Sequence, residues 1–413
     1  MLTRLTAKGY KSLVDVDVSL PRLTVLFGPN SVGKSNVLDA LVVLSRLASE
    51  RTVADALSDP VRGYPFEQVT LPHGGLPELL RAEKKAFYLG VDLIAGAGEK
   101  YRYSVAIEVS PSSGRASVQE EELVLLSKEG TPRGTPAIST VGSELRVRRK
   151  GKPAHPRIEQ PGLDHTQLSD KRWSGEEYGW IEKTRAELSG FRTYYLDPRV
   201  SMRQDVPPTE VLDIGPLGES LAPFLYRLKS SRPKHFAAVL RALRTIVPTV
   251  EDLQVDLDER RGLLGIQIRQ DGTWFSSRVI SEGTLRVVAL CAIAANPWPG
   301  SLVAFEEPEN GVHPRRLELV AKLLTTMALR QGRQVIVTSH SPLFCQQMLD
   351  VKREFQDMVD LLVVTRRHGE TNCTRFEALR GPLFNDAEIR ESLLGSEDTH
   401  WFEELVLQGF VDA

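Results

Sequence analysis

The chain has 413 residues, 41% hydrophobic and 26% charged, the make-up of an ordinary globular protein with room for two or three core-sized units or one composite domain. A formal net charge of −2 gives no overall pull toward nucleic acid or acidic membranes, so any such contact has to come from a local patch. Cys291, Cys345 and Cys373 are too scattered for a disulfide framework or metal set, residues 287–295 are too short to span a bilayer, and the start lacks an apolar signal core, which together predict a cytoplasmic protein.

Residues 13–20 alternate polar and apolar with a period of two and read as a strand. A second strand runs into Gly28-Pro29-Asn30-Ser31-Val32-Gly33-Lys34-Ser35-Asn36, which has the form G-x-x-x-x-G-K-S. Val37, Leu38, Leu41, Val42, Leu44 and Leu47 then repeat at helical spacing. Between a strand and a helix this pattern is a phosphate-binding loop: the glycines let successive N–H groups turn inward at the positive end of the helix. Lys34 is placed to reach the β- and γ-phosphates of a nucleotide and the Ser35 hydroxyl to ligate Mg²⁺.

Strand-like runs follow over 86–95, 100–109 and 116–126, separated by turns containing Gly or Pro. From 127 to 190 Gly, Pro, Ser and charge dominate, and the segment reads as an inserted, poorly packed region. It carries the basic run Arg146-Val147-Arg148-Arg149-Lys150-Gly151-Lys152, with His155 and Arg157 nearby, which reads either as a solvated loop or as groups that follow a phosphate backbone. A strand at 191–196 precedes helical patterns over 217–229 and 234–246, and from 251 onward strands and helices alternate as in an α/β lobe. No heptads persist, so no long coiled coil is expected. The expected division is 1–126, an N-terminal lobe with the phosphate loop; 127–250, the insertion and a helical subdomain; and 251–413, a C-terminal lobe.

A phosphate loop alone hydrolyses nothing; it needs a metal-organising acid, a water-orienting group and a γ-phosphate sensor. The apolar strand 301–305 ends in Glu306-Glu307, from which Glu306 can hold Mg²⁺ and Glu307 can orient the attacking water. Taken alone, the pair also reads as a solvated acidic turn. The strand 334–339 ends in His340, a hydrogen-bond donor suited to a γ-phosphate, although a single histidine is more often structural. Ser281 and the Gly283 backbone open the helix-like segment 285–295 and form either a second anion-binding helix end or a plain N-cap. Glu306, Glu309 and His313 are metal ligands by residue type, but they fall more economically into the nucleotide site.

Phosphate loop, Ser-x-Gly helix start, acidic strand end and strand-end histidine stand in the order of the ABC-type ATPases. The chain resembles their RecF/SMC-like branch, most closely the RecF-like AAA family ATPases of prokaryotic defence loci and of overcoming-lysogenization-defect nucleases. The resemblance rests on residues 28–36, 281–286, 302–314 and 335–342. The hairpin Gly9-Tyr10-Lys11-Ser12 and the stretch Leu217-Gly218-Glu219-Ser220-Leu221 match in style, and the likeness covers most of the chain outside 127–190.

The resemblance implies an α/β, ABC-type P-loop ATPase head with a mixed sheet, an N-terminal antiparallel β region and a helical or irregular insertion. It implies a slow ATPase that uses ATP and Mg²⁺ and works as a homodimer or higher even oligomer, two subunits sandwiching ATP head to tail. By carry-over, Lys34, Glu307 and His340 are catalytic, and Ser281 and Gly283 of one subunit cap the γ-phosphate held by Lys34 and Ser35 of the other. Glu309-Asn310-Gly311-Val312-His313 corresponds to the D-loop across the seam. Gln204 is the first candidate for the Q-loop, and Gln68 is its rival. Two departures from transporters, Glu282 for Gly in the signature and Glu306 for Asp at the metal-binding acid, are usual in the RecF-like branch.

The implied partner is an effector protein, a nuclease or toxin, in anti-phage defence. The alternative is a RecF-like ATPase that clamps DNA through Arg146, Arg148, Arg149 and Lys150. A nuclease in its own right is disfavoured, because Asp350, Asp357, Asp360, Glu388 and Glu391 are scattered and do not form the acidic cluster of a Toprim domain.

Overall fold

In a computed structural model of the chain, the residues described are 1–96, 98–375 and 402. Period-two patterning at the start produces β1 (Leu2–Tyr10) and β2 (Leu13–Ser19), paired antiparallel, with Val16 and Val18 buried on one face opposite Ala7 and Leu5. The run β3 (Leu23–Phe27), apolar but for Thr24, is buried at every position, as a strand covered on both faces must be, and α1 (Lys34–Leu47) follows it. The short helices α2 (Val53–Ala56) and α3 (Gly75–Arg81) lead into a meander of β4 (Lys85–Ala95), β5 (Glu99–Ser110), β6 (Arg115–Leu126), β7 (Pro132–Val141), β8 (Glu144–Arg149) and β9 (Lys152–Glu159).

After α4 (Gly179–Ser189) and β10 (Phe191–Tyr194) come α5 (Leu221–Ser231) and α6 (Pro233–Ile246). Next are the hairpin strands β11 (Val250–Asp258), β12 (Leu263–Gln270) and β13 (Thr273–Ser276). The remainder alternates: α7 (Glu282–Ala294), β14 (Leu302–Glu306), α8 (Leu317–Thr325), β15 (Gln334–Ser339), α9 (Pro342–Glu354), β16 (Val359–Arg367) and β17 (Glu370–Arg375). Among the described residues the sheets have the orders β2-β1-β4-β5-β6-β7-β8-β9, β10-β14-β15-β3-β16-β17 and β11-β12-β13.

The chain divides into two compact units. The first comprises Met1–Pro21, Pro29–Phe191 and Val364–Thr374, built on the antiparallel sheet. The second includes Arg22–Gly28 and Arg192–Val363, and its core gathers β3, β14, β15, α5, α6 and α7. α7 is buried on every side from Val287 to Ala294, which its unbroken apolar run requires.

Residues 127–190 are not the poorly packed segment expected from their composition. β7, β8 and β9 extend the antiparallel sheet, and Ile138, Leu145 and Val147 are fully buried while Arg146 and Arg148 alternate with them. The period of two was present in Leu145-Arg146-Val147-Arg148, masked by the weight of charge. Leu168, Trp173, Ile181 and Leu188 are buried too. Glu121, also buried, accepts from the backbone N–H of Gln167 (2.6 Å) and Leu168 (2.9 Å) and from the Tyr103 hydroxyl (3.1 Å).

The helix expected from 217 starts at Leu221, because Gly215 and Gly218 (both φ 80°) hold the preceding stretch in turns. The longest described helices, α1 and α6, have 14 residues each, so no coiled-coil arm is present among the described residues. None of those helices is long and apolar enough to cross a membrane.

Candidate nucleotide site

Within the first unit the phosphate loop closes onto α1 through Gly33, which caps the helix with φ 105° and no side-chain cap. A Cβ there would stand 2.1 Å from Thr371 Oγ1 and 2.6 Å from Ser12 Oγ, so both the backbone angle and the space demand glycine. The first turn of α1 carries no acidic residue, which leaves the positive helix end for an external anion. Lys34 is buried and its Nζ donates to the Pro29 carbonyl at 2.9 Å. Behind the loop, Asn36 Nδ2 donates to Ser12 Oγ at 2.7 Å, and the fully buried Asp39 of α1 is held by Lys11 (2.6 Å) and Arg62 (3.2 Å).

Within the second unit β14, β15 and β3 run parallel, with Glu306 opposite Thr338 and Ser339 opposite Phe27. Their carboxyl ends therefore form one row, and Gly28, the Glu306–Glu307 pair and His340 emerge at the same end of the sheet, where open α/β sheets place their ligands. Glu307 adopts a left-handed φ of 46°, a strained state for a non-glycine, and its N–H is fixed by the Thr338 carbonyl at 3.1 Å. One carboxylate oxygen meets His340 Nδ1 at 2.9 Å and the other accepts from Asn310 Nδ2 at 2.6 Å. A carboxylate only accepts, so the ring hydrogen in the first contact is on Nδ1.

Glu309, 5% exposed, lies under this turn and accepts from the Ser339 hydroxyl, while its Oε2 has no partner. Burial pushes its carboxyl up to about 7 from 4.5. The fold thus binds the Glu309 proton more tightly than the unfolded chain does. The resulting stability is full below the unfolded value of 4.5 and is lost as pH rises through 7, by on the order of 3 kcal/mol. Glu121 is likewise pushed up to about 7 by burial and adds a slope of the same sign. Glu309→Gln is therefore expected to remove about half of the decline in stability between pH 4.5 and 7, read from urea unfolding across that range. An unchanged slope would show that Glu309 titrates as it does in the unfolded chain.

Ser281, exposed, caps α7 by accepting from the Thr284 N–H at 3.2 Å. Within the same first turn the helix start meets the turn after the acids: a Cβ on Gly283 would lie 1.8 Å from the Gly311 carbonyl oxygen. Glu282 pairs with Arg199 at 3.0 Å. Arg199, Glu282 and Gly311, with Asp197, Arg286 and Asn310, line a cleft of about 330 Å³.

Gln204 is exposed after the turn Ser201–Arg203. Gln68 is buried, with its amide donating to the carbonyls of Arg62 (3.0 Å) and Tyr64 (3.2 Å) and accepting from Tyr10 (2.9 Å). In the basic run, Arg146 pairs with Glu144, Arg148 donates to Pro136 and Ser139, and Arg149 pairs with Glu177. Among the described residues no three His, Cys, Asp or Glu side chains gather as metal ligands, so Glu306, Glu309 and His313 form no such set. Asp350 pairs with Arg353 and Asp360 with Lys352, whereas Glu388 and Glu391 lie outside the described residues. Thr371 and the separate role of Asn310 carry no sequence signal, since each becomes visible only through its contacts.

Residues 23–346 match the protein family described as "AAA domain, putative AbiEii toxin, Type IV TA system". No curated protein matches the chain in sequence. Among solved structures, an Smc head bound to the C-winged helix domain of ScpA is 15% identical, covering 91% of this chain and 98% of its own, with a TM-score of 0.53. An Smc head with an extended coiled coil from Pyrococcus furiosus, bound to the C-terminal domain of ScpA, is 12% identical over 95% and 99% (TM-score 0.49). The SMC head domain from Thermotoga maritima is 15% identical over 91% and 99% (TM-score 0.43). At such identities the first of these shows the fold alone, that of an Smc head.

Proposed function

The chain belongs to this AAA-domain family, and from that membership we propose an ATP-binding and ATP-hydrolysing switch that closes as a head-to-tail homodimer and controls an effector protein in anti-phage defence. The observation that carries the reading is the row of strand ends bearing Gly28, Glu306, Glu307 and His340, with Glu307 held by a donor on each oxygen.

In this reading the loop N–H groups and Lys34 bind the phosphates. The Ser35 hydroxyl and the Glu306 carboxylate are hard oxygen donors of the kind Mg²⁺ takes, and the ion would neutralise phosphate charge when bound. Glu307 orients the attacking water and accepts its proton; His340 and Asn310 keep that carboxylate aimed. Ser281 and Gly283, at an exposed helix start, contact the nucleotide of a second copy. Differential affinity of ATP for the closed dimer is the energy source, so turnover is slow and the output is a conformation.

Native mass spectrometry of Glu307→Gln, isolated from its own host with Mg-ATP, tests this. The expected species is an even assembly carrying ATP and a second protein. A monomer with ATP and nothing else would overturn the switch.

A further inference from the structure

Two consecutive carbonyls of the phosphate loop are held from outside by a segment more than 300 residues away in sequence. Thr371, on β17 and 2% exposed, donates its hydroxyl to the Val32 carbonyl at 2.7 Å, and Arg366 of β16 donates to the Ser31 carbonyl at 3.2 Å. The Thr371 N–H also bonds the Ser12 carbonyl at 2.8 Å, which fixes the hairpin against the β1–β2 turn. All these residues belong to the first unit.

The direction of the side-chain chain follows from proton counting. Thr371 has one hydroxyl proton, and the Val32 carbonyl can only accept, so that proton is spent there. Thr371 Oγ1 must then accept from the Ser12 hydroxyl at 2.6 Å, and Ser12 Oγ accepts from Asn36 Nδ2 at 2.7 Å. The result is a one-way relay from Asn36 through Ser12 and Thr371 to Val32. In a trans peptide the C=O and the following N–H point in opposite directions. Holding the carbonyls of Ser31 and Val32 outward therefore turns the N–H groups of Val32 and Gly33 inward, toward the side a phosphate would occupy.

We propose that the β16–β17 hairpin is a positioning clamp for the phosphate loop, with Thr371 as the positioning residue acting through the Asn36–Ser12–Thr371–Val32 relay. The proposal rests on the nucleotide reading above. It makes the alignment of the anion-binding N–H groups depend on a hairpin outside the loop, helix and acids that define the site.

The test is titration of a fluorescent ATP analogue against the full chain. Thr371→Val keeps the side-chain shape and removes the hydroxyl, and it is expected to weaken binding about tenfold. Thr371→Ser is expected to restore wild-type affinity, which a merely steric role would not predict. Ser12→Ala severs the same relay, so it should weaken binding by a similar factor. The double variant Ser12→Ala/Thr371→Val should bind no worse than either single one. If Thr371→Val fails to fold, Ser12→Ala carries the test. Wild-type affinity in these variants, or full additivity in the double, would overturn the clamp while leaving the nucleotide reading intact. A wild-type chain that binds no ATP would overturn both.

Discussion

Glu307→Gln is expected to bind ATP with near wild-type affinity and to hydrolyse it at least about 10²-fold more slowly, as removal of a general base does. The expectation comes from the way the carboxylate is held. His340 Nδ1 and Asn310 Nδ2 approach its two oxygens from separate directions, and the backbone of the turn is fixed to Thr338. An amide of the same size keeps one oxygen for His340. It then presents its NH₂ to Asn310, whose own amide can rotate to offer an oxygen in return. The turn therefore survives, and the loss falls on the one property glutamine cannot reproduce, a negative charge able to take a proton from water. Single-turnover hydrolysis beside a nucleotide titration separates the two effects. Unchanged turnover would remove Glu307 from the chemistry, and lost binding would show that it serves the nucleotide rather than the water.

Much of the architecture could be read before any coordinates, and the reasons are local. β1, β2 and the meander carry period-two burial, the parallel strands are short runs of Val, Ile, Leu and Phe, and the phosphate loop lies between a strand and a helix as its spacing requires. What escaped depended on context. The alternation of Leu145 and Val147 was outweighed by the arginines between them, and the start of α5 was displaced by glycines that favour turns over helix. Glu309 reads from sequence as a D-loop residue and a metal ligand by residue type, and nothing in that reading anticipates its burial against Ser339. Thr371 could not be found at all: a hydroxyl that meets a loop 339 positions earlier leaves no periodicity to detect. In the candidate site, therefore, residue identities were legible where chemistry dictates spacing along the chain. The supporting contacts were not, because those are set by tertiary packing alone.

Lys34→Ala should lower ATP affinity about 100-fold or more, since it deletes the charge-assisted bonds to the phosphates that no neighbouring group replaces. Its cost to the fold should be small, for the buried ammonium makes a loop contact to Pro29 and the alanine suits the first turn of α1. Ser281→Arg damages the other half of a composite site by placing a bulky cation at an exposed helix start, at the expense of a cap worth about 1 kcal/mol. Each variant alone should be inactive if two subunits share every nucleotide. A mixed dimer, however, pairs the intact loop of the Ser281→Arg subunit with the intact helix start of the Lys34→Ala subunit, and its second site is doubly broken. With free exchange at equal amounts, half the dimers are mixed and each retains one site of two, so the mixture should recover about a quarter of wild-type turnover. Turnover that stays at zero, in subunits shown by mass to have exchanged, would place both motifs on the nucleotide of a single chain and remove the reason for a dimer.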